Sequence, residues 1–225
     1  MKKRIALKAA LTAATISALT GLFAQSADAF SLSTSISNPT GYTSGAQVIN
    51  FDDPLPTGVT LSGGAVVSGN SSGVYASPFP TSGGKYLTVG PSGVTAGPAT
   101  LKFAFSNLLN YYGLYWGSVD SYNKLEFLRD GNVVGTFNGS QFIPPAIAGA
   151  QGTGGSIYVN FFADNASQYF NEVRLTSTQF AFESDNHAYR VVPTPALLPG
   201  LIGMGAAALR KKRKEEASET AEARA

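Results

Sequence analysis

Leu125-Glu126-Phe127-Leu128-Arg129-Asp130-Gly131-Asn132-Val133-Val134-Gly135-Thr136-Phe137 holds two short apolar runs around a tight polar turn. Asp-Gly tolerates the positive φ angles that a two-residue hairpin loop requires. Branched and aromatic residues on both sides favour extended backbone. The segment therefore predicts a β-hairpin. The same signals recur outward from it. Thr100-Leu101-Lys102-Phe103-Ala104-Phe105 alternates strictly, with Leu101, Phe103 and Phe105 on one face. Ile157–Phe162, Glu172–Thr176 and Gln179–Phe182 read as further strands. Val48–Phe51, Val59–Leu61, Ala65–Val67, Tyr86–Val89, Gly113–Trp116 and Ala188–Val191 are shorter candidates. Clusters of Gly, Ser, Asn and Pro separate them, and 30–192 shows no amphipathic helix. This spacing predicts an all-β, jelly-roll-like β-sandwich of about eight to ten strands.

Composition agrees and excludes several classes. Aromatics make up 11 % of the chain and charged residues only 13 %, the reverse of a disordered solvating chain. There is no Cys, which removes disulfide frameworks, thiolate metal sites and Cys nucleophiles. The single His, His187, removes any His-pair metal site. The chain's net charge is +2, and its basic character belongs to the two ends. Residues 30–192 carry six cations against nine anions, net −3, so the central domain offers no basic surface for nucleic acid.

The N-terminus reads as an export signal. Met1-Lys2-Lys3-Arg4 is a positive leader, Ile5–Phe23 is apolar and Ala-rich, and Ala27-Asp28-Ala29 is a small-x-small cleavage site before Phe30. Residues 1–29 are thus expected to form a signal helix, handled by the Sec translocon and signal peptidase. At the other end, the uncharged run Val191–Leu209 is 19 residues long, against about 20 for a spanning helix. Arg210, Lys211, Lys212, Arg213 and Lys214 follow it and are expected to stay cytoplasmic. The expected organisation is a signal peptide at 1–29, an ectodomain at 30–192, a membrane-spanning sorting segment at 193–214 and a polar tail at 215–225.

Pro193-Thr194-Pro195-Ala196, the glycine-rich apolar span and the terminal cation cluster together resemble a PEP-CTERM sorting signal. The wording is similar to the PTPA variant found in cyanobacteria. The resemblance implies recognition of Pro193, Thr194, Pro195 and Ala196 by an exosortase, a membrane transpeptidase-like enzyme. It implies at least transient contact with the inner membrane, then the cell surface or extracellular matrix. Thr194 stands where the commoner signal has Glu. In the ectodomain, Asn50–Asp53, Tyr115–Asn123 and Phe180–Asn186 resemble exosortase-dependent surface proteins.

Candidate chemistry in the middle is sparse. Gly69-Asn70-Ser71-Ser72-Gly73 has the Gly-x-Ser-x-Gly spacing, but no helix is expected after it, so it lacks the strand-to-helix setting of a nucleophile elbow, and His187, beside Asp185 and Asn186, reads as a surface loop residue. Glu126 and Glu172 fall at outward strand positions. A glycosidase would need two carboxylates across one aromatic cleft. No catalytic residue is assigned, and the leading expectation is a non-enzymatic structural or adhesive surface protein without a cofactor. The alternative, from a different class, is a lectin-like module for exopolysaccharide. There Trp116 would offer a flat face, with Asp120, Ser121 and Asn123 as polar handles. A calcium ion would be held by Asp52, Asp53, Glu183 and Asp185 if the early and late strands meet. Turn formation is the competing role for those acidic residues. An exposed Trp116 would favour binding, and a buried one a scaffold.

Overall fold

The computed structural model describes residues 30–80, 84–91 and 97–193. Among them are twelve strands: β1 (Ser31–Ile36), β2 (Gln47–Ile49), β3 (Val59–Ser62), β4 (Ala65–Ser68), β5 (Lys85–Val89), β6 (Ala99–Phe103), β7 (Leu109–Gly117), β8 (Asn123–Arg129), β9 (Asn132–Asn138), β10 (Ile157–Phe162), β11 (Glu172–Ser177) and β12 (Phe182–Val191). They form two antiparallel sheets. One runs β1-β10-β7-β12-β5-β4, with β2 added against β12, and the other β3-β6-β11-β8-β9. The chain is a β-sandwich, as the alternation predicted. The expected signal and transmembrane helices, Thr194, Pro195, Ala196 and the cluster Arg210–Lys214 lie outside the described residues. No helix among the described residues is long and apolar enough to cross a membrane.

The hairpin that decides the class forms, with a bulge between the Phe127 and Leu128 pairings. Arg129 pairs with Asn132, so Asp130-Gly131 is the whole loop. Both residues have positive φ, 50° and 81°, which is the geometry that matches strand twist. From β8, Leu125 and Phe127 point into the sandwich, where they meet Val173 and Leu175 of β11, Leu101 and Phe103 of β6 and the inner row Tyr112, Leu114 and Trp116 of β7. Phe30 closes this core from the N-terminal end, stacked on Phe127 at 4.9 Å and edge-on to Phe137 at 5.6 Å.

The outer faces of the sheets differ. The five-stranded sheet is polar outside, with Lys102–Glu172, Lys124–Glu126 and Arg174–Glu126 ion pairs at 3.0 Å. The seven-stranded sheet is covered at its centre. Tyr111, Tyr115, Tyr158 and Ala188 form a second buried cluster under Tyr42 and Ala46 of the β1–β2 connection. The Tyr111 hydroxyl donates to Asn160 Oδ1 at 2.6 Å and accepts from the Thr43 N–H at 3.1 Å, pinning that connection down. Gly113 lies beneath it, since a Cβ there would sit 2.7 Å from both the Tyr111 hydroxyl and the Tyr158 ring. β7 is thus buried on both faces, and so reads as nearly continuous apolar sequence.

β12 corrects two sequence expectations. Gln179–Phe182 and Ala188–Val191 were expected as separate strands around a Ser184-Asp185-Asn186 turn. Phe182 and Ala188–Val191 belong to one ten-residue strand, whereas Gln179–Ala181 precede it and are not in a strand. Asn186, at φ 45°, makes a bulge where the partner changes from β5 at Phe182–Ser184 to β2 at His187–Tyr189. His187 is therefore not a loop residue; it is fully buried on the inner face. Across the sheet, Ser31, Phe162, Tyr111 and Arg190 share one row. Glu183 lies at the opposite end of β12.

Candidate functional site

Gly117 ends β7, and the chain turns through Ser118, Val119, Asp120, Ser121 and Tyr122 before β8. Ser118 takes a positive φ of 44°. Gly139 lets this turn seat closely, because a Cβ there would lie 2.0 Å from the Asp120 carbonyl oxygen. The turn forms one wall of a cleft of about 340 Å³. Residues 70–75, after β4, form a second wall, Gly149 and Gln151 a third, and Phe180 and Ala181, just before β12, with Glu183 inside it complete the lining.

Glu183 is only 2 % exposed. Its Oε1 accepts the Ala76 N–H at 2.9 Å. Its Oε2 has no partner among the described residues. Burial pushes its carboxyl up to about 7, opposed by the Ala76 N–H and its own backbone N–H, and helped by the Asp120 charge. Ser118 Oγ, on the same lining, is also buried without a partner among the described residues. Asp120 is raised by burial, against the hydrogen bond it accepts from Tyr122. The Tyr122 hydroxyl lies 2.6 Å from Asp120 Oδ2 and 2.9 Å from the Phe180 carbonyl oxygen, so its proton is shared between them. Tyr75, Tyr122 and the 37 % exposed Phe180 supply aromatic surface. The lining contains two carboxyls and no Lys, Arg or His.

The residues expected to bind sugar are only partly here. Asp120 lines the cleft, whereas Ser121 is exposed outside the lining. Trp116 is wholly buried, stacked on Phe182 at 4.2 Å and 13°. Its even position on β7 turns it into the sandwich, so it is no stacking platform for a ligand, and at Trp116 the outcome is the one expected of a scaffold. Asn123 is also interior: it accepts from Ser177 Oγ at 2.7 Å and donates to the Ala181 carbonyl at 3.3 Å.

The expected calcium quartet does not assemble. Among the described residues no group of three or more His, Cys, Asp or Glu side chains is placed to hold a metal. Asp52 Oδ1 accepts the Lys85 N–H at 2.8 Å, and Asp53 Oδ2 accepts from Asn50 Nδ2 at 3.1 Å. Asn50 Oδ1 in turn accepts both aspartate N–H groups at 3.2 Å, so these residues build a turn. Asp185 is buried, with its Oδ1 on the Asn186 N–H at 2.7 Å. Burial first, and then the Asp52 charge, pushes it up to about 7. Glu183 faces Asp120 instead.

One Ser–His contact invites a nucleophilic reading. Ser184 Oγ is 2.9 Å from His187 Nε2, and the Tyr112 hydroxyl is 2.7 Å from Nδ1. Both Ser184 and His187 are 0 % exposed. Burial lowers His187 to about 3, holding the ring neutral. The group is a satisfied polar knot in the core and no substrate reaches it.

No family model matches the chain, and no curated protein matches it. Among solved structures, a family 29 carbohydrate-binding module from Piromyces equi aligns at 12 % identity and a TM-score of 0.34. The alignment covers 71 % of this chain and 90 % of that one. The enzymatically active domain of bacteriophage CBA120 tailspike protein 4 aligns at 19 % identity and a TM-score of 0.35, over 64 % of this chain and 20 % of that one.

Proposed function

We propose that this chain is an exported, non-enzymatic surface protein whose sandwich binds extracellular polysaccharide through the cleft between the β7–β8 turn and the start of β12. The observation that carries it is the lining itself: Tyr75, Tyr122 and Phe180 beside Asp120, Asn70 and Gln151. Aromatic faces next to a few placed polar groups suit sugars. The proposal includes a jelly-roll-like winding of the strands, a signal helix over 1–29 and a transmembrane helix within 193–214. The sequence Pro193–Ala196, with the cations Arg210–Lys214, supports sorting by an exosortase to the cell surface or matrix. No metal or cofactor is assigned.

The test is binding of the full chain, in detergent, to a panel of neutral, acidic and amine-bearing oligosaccharides. Binding that Tyr122→Ala weakens while the melting curve is unchanged supports the proposal. No binding to any member overturns it. C-terminal proteomics of the native protein tests the sorting part, because mature chains still carrying Lys211–Lys214 would contradict cleavage at the motif. A second reading, hydrolysis of a glycosidic bond, is favoured by one observation: Asp120 and a proton-holding Glu183 share the cleft. Release of reducing ends on incubation with a bound oligosaccharide would establish it.

A further inference from the structure

The cleft has a charge signature that selects among sugars. Two carboxyls line it and no cationic side chain does. A uronate or sulfated unit would meet like charge there. Glu183 Oε2 and Ser118 Oγ are both buried and unpartnered among the described residues. A buried polar atom left without a partner costs free energy that a bound group recovers. The charge that Glu183 would carry when ionised needs a counter-charge in so dry a place.

An ammonium group meets these conditions together. It brings three donors and no acceptor. Among the lining residues, Glu183 Oε2 and Ser118 Oγ are acceptors without a partner, and the Asp120 carboxylate is a third acceptor. A calcium ion asks for six to eight oxygens, which two carboxyls and a hydroxyl do not approach. Resting on the polysaccharide-binding reading above, we propose that the cleft recognises an amine-bearing hexose, seating its ammonium group on Glu183, Ser118 and Asp120.

Proton release accompanies such binding. The groups facing Glu183 are Asp120 and Tyr122 from the β7–β8 turn and Tyr86 from β5, which itself faces Tyr75. Burial holds both tyrosines above their ordinary range, so they stay protonated at neutral pH. The carboxyls are thus the groups that exchange a proton with a ligand. At about pH 5.5 the amine is charged and Glu183 is still protonated. Seating the ammonium ionises Glu183, and its proton leaves to buffer.

The experiment is calorimetric titration of the full chain in detergent with three probes. They are glucosamine oligomers, N-acetylglucosamine oligomers of equal length, and galacturonate oligomers. Measurement in buffers of different ionisation heat gives the protons released. The expected result is a preference of about tenfold or more for the amine over the acetamide, weaker binding still of the uronate, and release approaching one proton at about pH 5.5. Glu183→Gln should abolish both the preference and the release while acetamide binding persists. Ser118→Ala, which leaves every carboxyl in place, should reduce the preference alone. Equal affinity for amine and acetamide, or a preference and release that survive Glu183→Gln, would overturn the proposal and leave polysaccharide binding standing. Silence of all three probes would overturn both.

Discussion

Glu183, Asp185 and His187 sit within five residues on one strand and make opposing demands on the proton. Glu183 is raised from 4.5 to about 7 and Asp185 from 3.8 to about 7, both by burial. Each contributes stability that is complete below its unfolded value and is lost as pH rises towards 7. His187 is lowered from 6.5 to about 3. Its contribution is complete above its unfolded value and is lost as pH falls towards 3. Between about pH 4.5 and 6.5 the two carboxyls outweigh the one imidazole, with Asp120 acting in their direction. Stability therefore falls as pH rises across that window. Glu183→Gln removes one carboxyl, so its slope should be shallower by about 1.4 kcal/mol per pH unit. Denaturant unfolding at four or five pH values measures this; parallel slopes would show that Glu183 does not titrate there. The sole tryptophan gives a second residue-scale prediction. Trp116→Ala should cost about 3–5 kcal/mol, and a saturating oligosaccharide should leave acrylamide quenching of Trp116 unchanged. A ligand-dependent change in quenching would place sugar closer to the core than the geometry allows.

At the scale of elements, the hairpin β8–β9 is the most locally encoded part of the fold. Gly131→Val puts a branched side chain at φ 81° and should cost about 1–2 kcal/mol, read as a lowered melting temperature. A neutral result would mean that the loop relaxes to another turn type. Strands such as β6 and β11 are legible because one face is dry and one wet, and their side chains alternate accordingly. β7 and β12 are harder to read for a physical reason. The β1–β2 connection packs over Tyr111, Tyr115 and Tyr158 on the outer face of their sheet, so β7 shows no alternation. The Asn186 bulge shifts the phase of β12 midway, and Ser184-Asp185-Asn186 imitates a turn. The cleft is less legible still, because its walls come from residues 70–75, 118–122, 149–151 and 180–183, far apart along the chain. Of the proposed ligand residues, Asp120 was expected for its aromatic neighbours. Glu183 was singled out as a metal ligand, and Ser118 carried no signal. The one hint was a glutamate directly after the apolar run Phe180-Ala181-Phe182.

At the scale of the whole molecule, order depends on contacts between distant parts of the chain. β1 is an exposed edge, with Leu32 43 % and Ile36 46 % accessible, laid along the buried strand β10. Removing residues 30–36 would uncover the ladder of Ile157–Phe162 and withdraw the Phe30 ring from the core. An uncovered edge is a template for pairing with another chain, so this truncation should self-associate; light scattering checks it, and a monodisperse monomer would refute it. The same sheet has an orientation. Arg190 ends one row and Glu183 lies seven residues back along β12, so roughly 23 Å separates them at about 3.3 Å per residue. In the anchored chain proposed above, the tether would follow Val191, at the opposite end of β12 from Glu183. One continuous strand then joins the captured glycan to the anchor. A tug on the glycan travels down the axis of β12, across which its ladder bonds to β7, β5 and β2 run at right angles. Those bonds would share the load in shear instead of parting one by one, making β12 the mechanical spine of an adhesive grip.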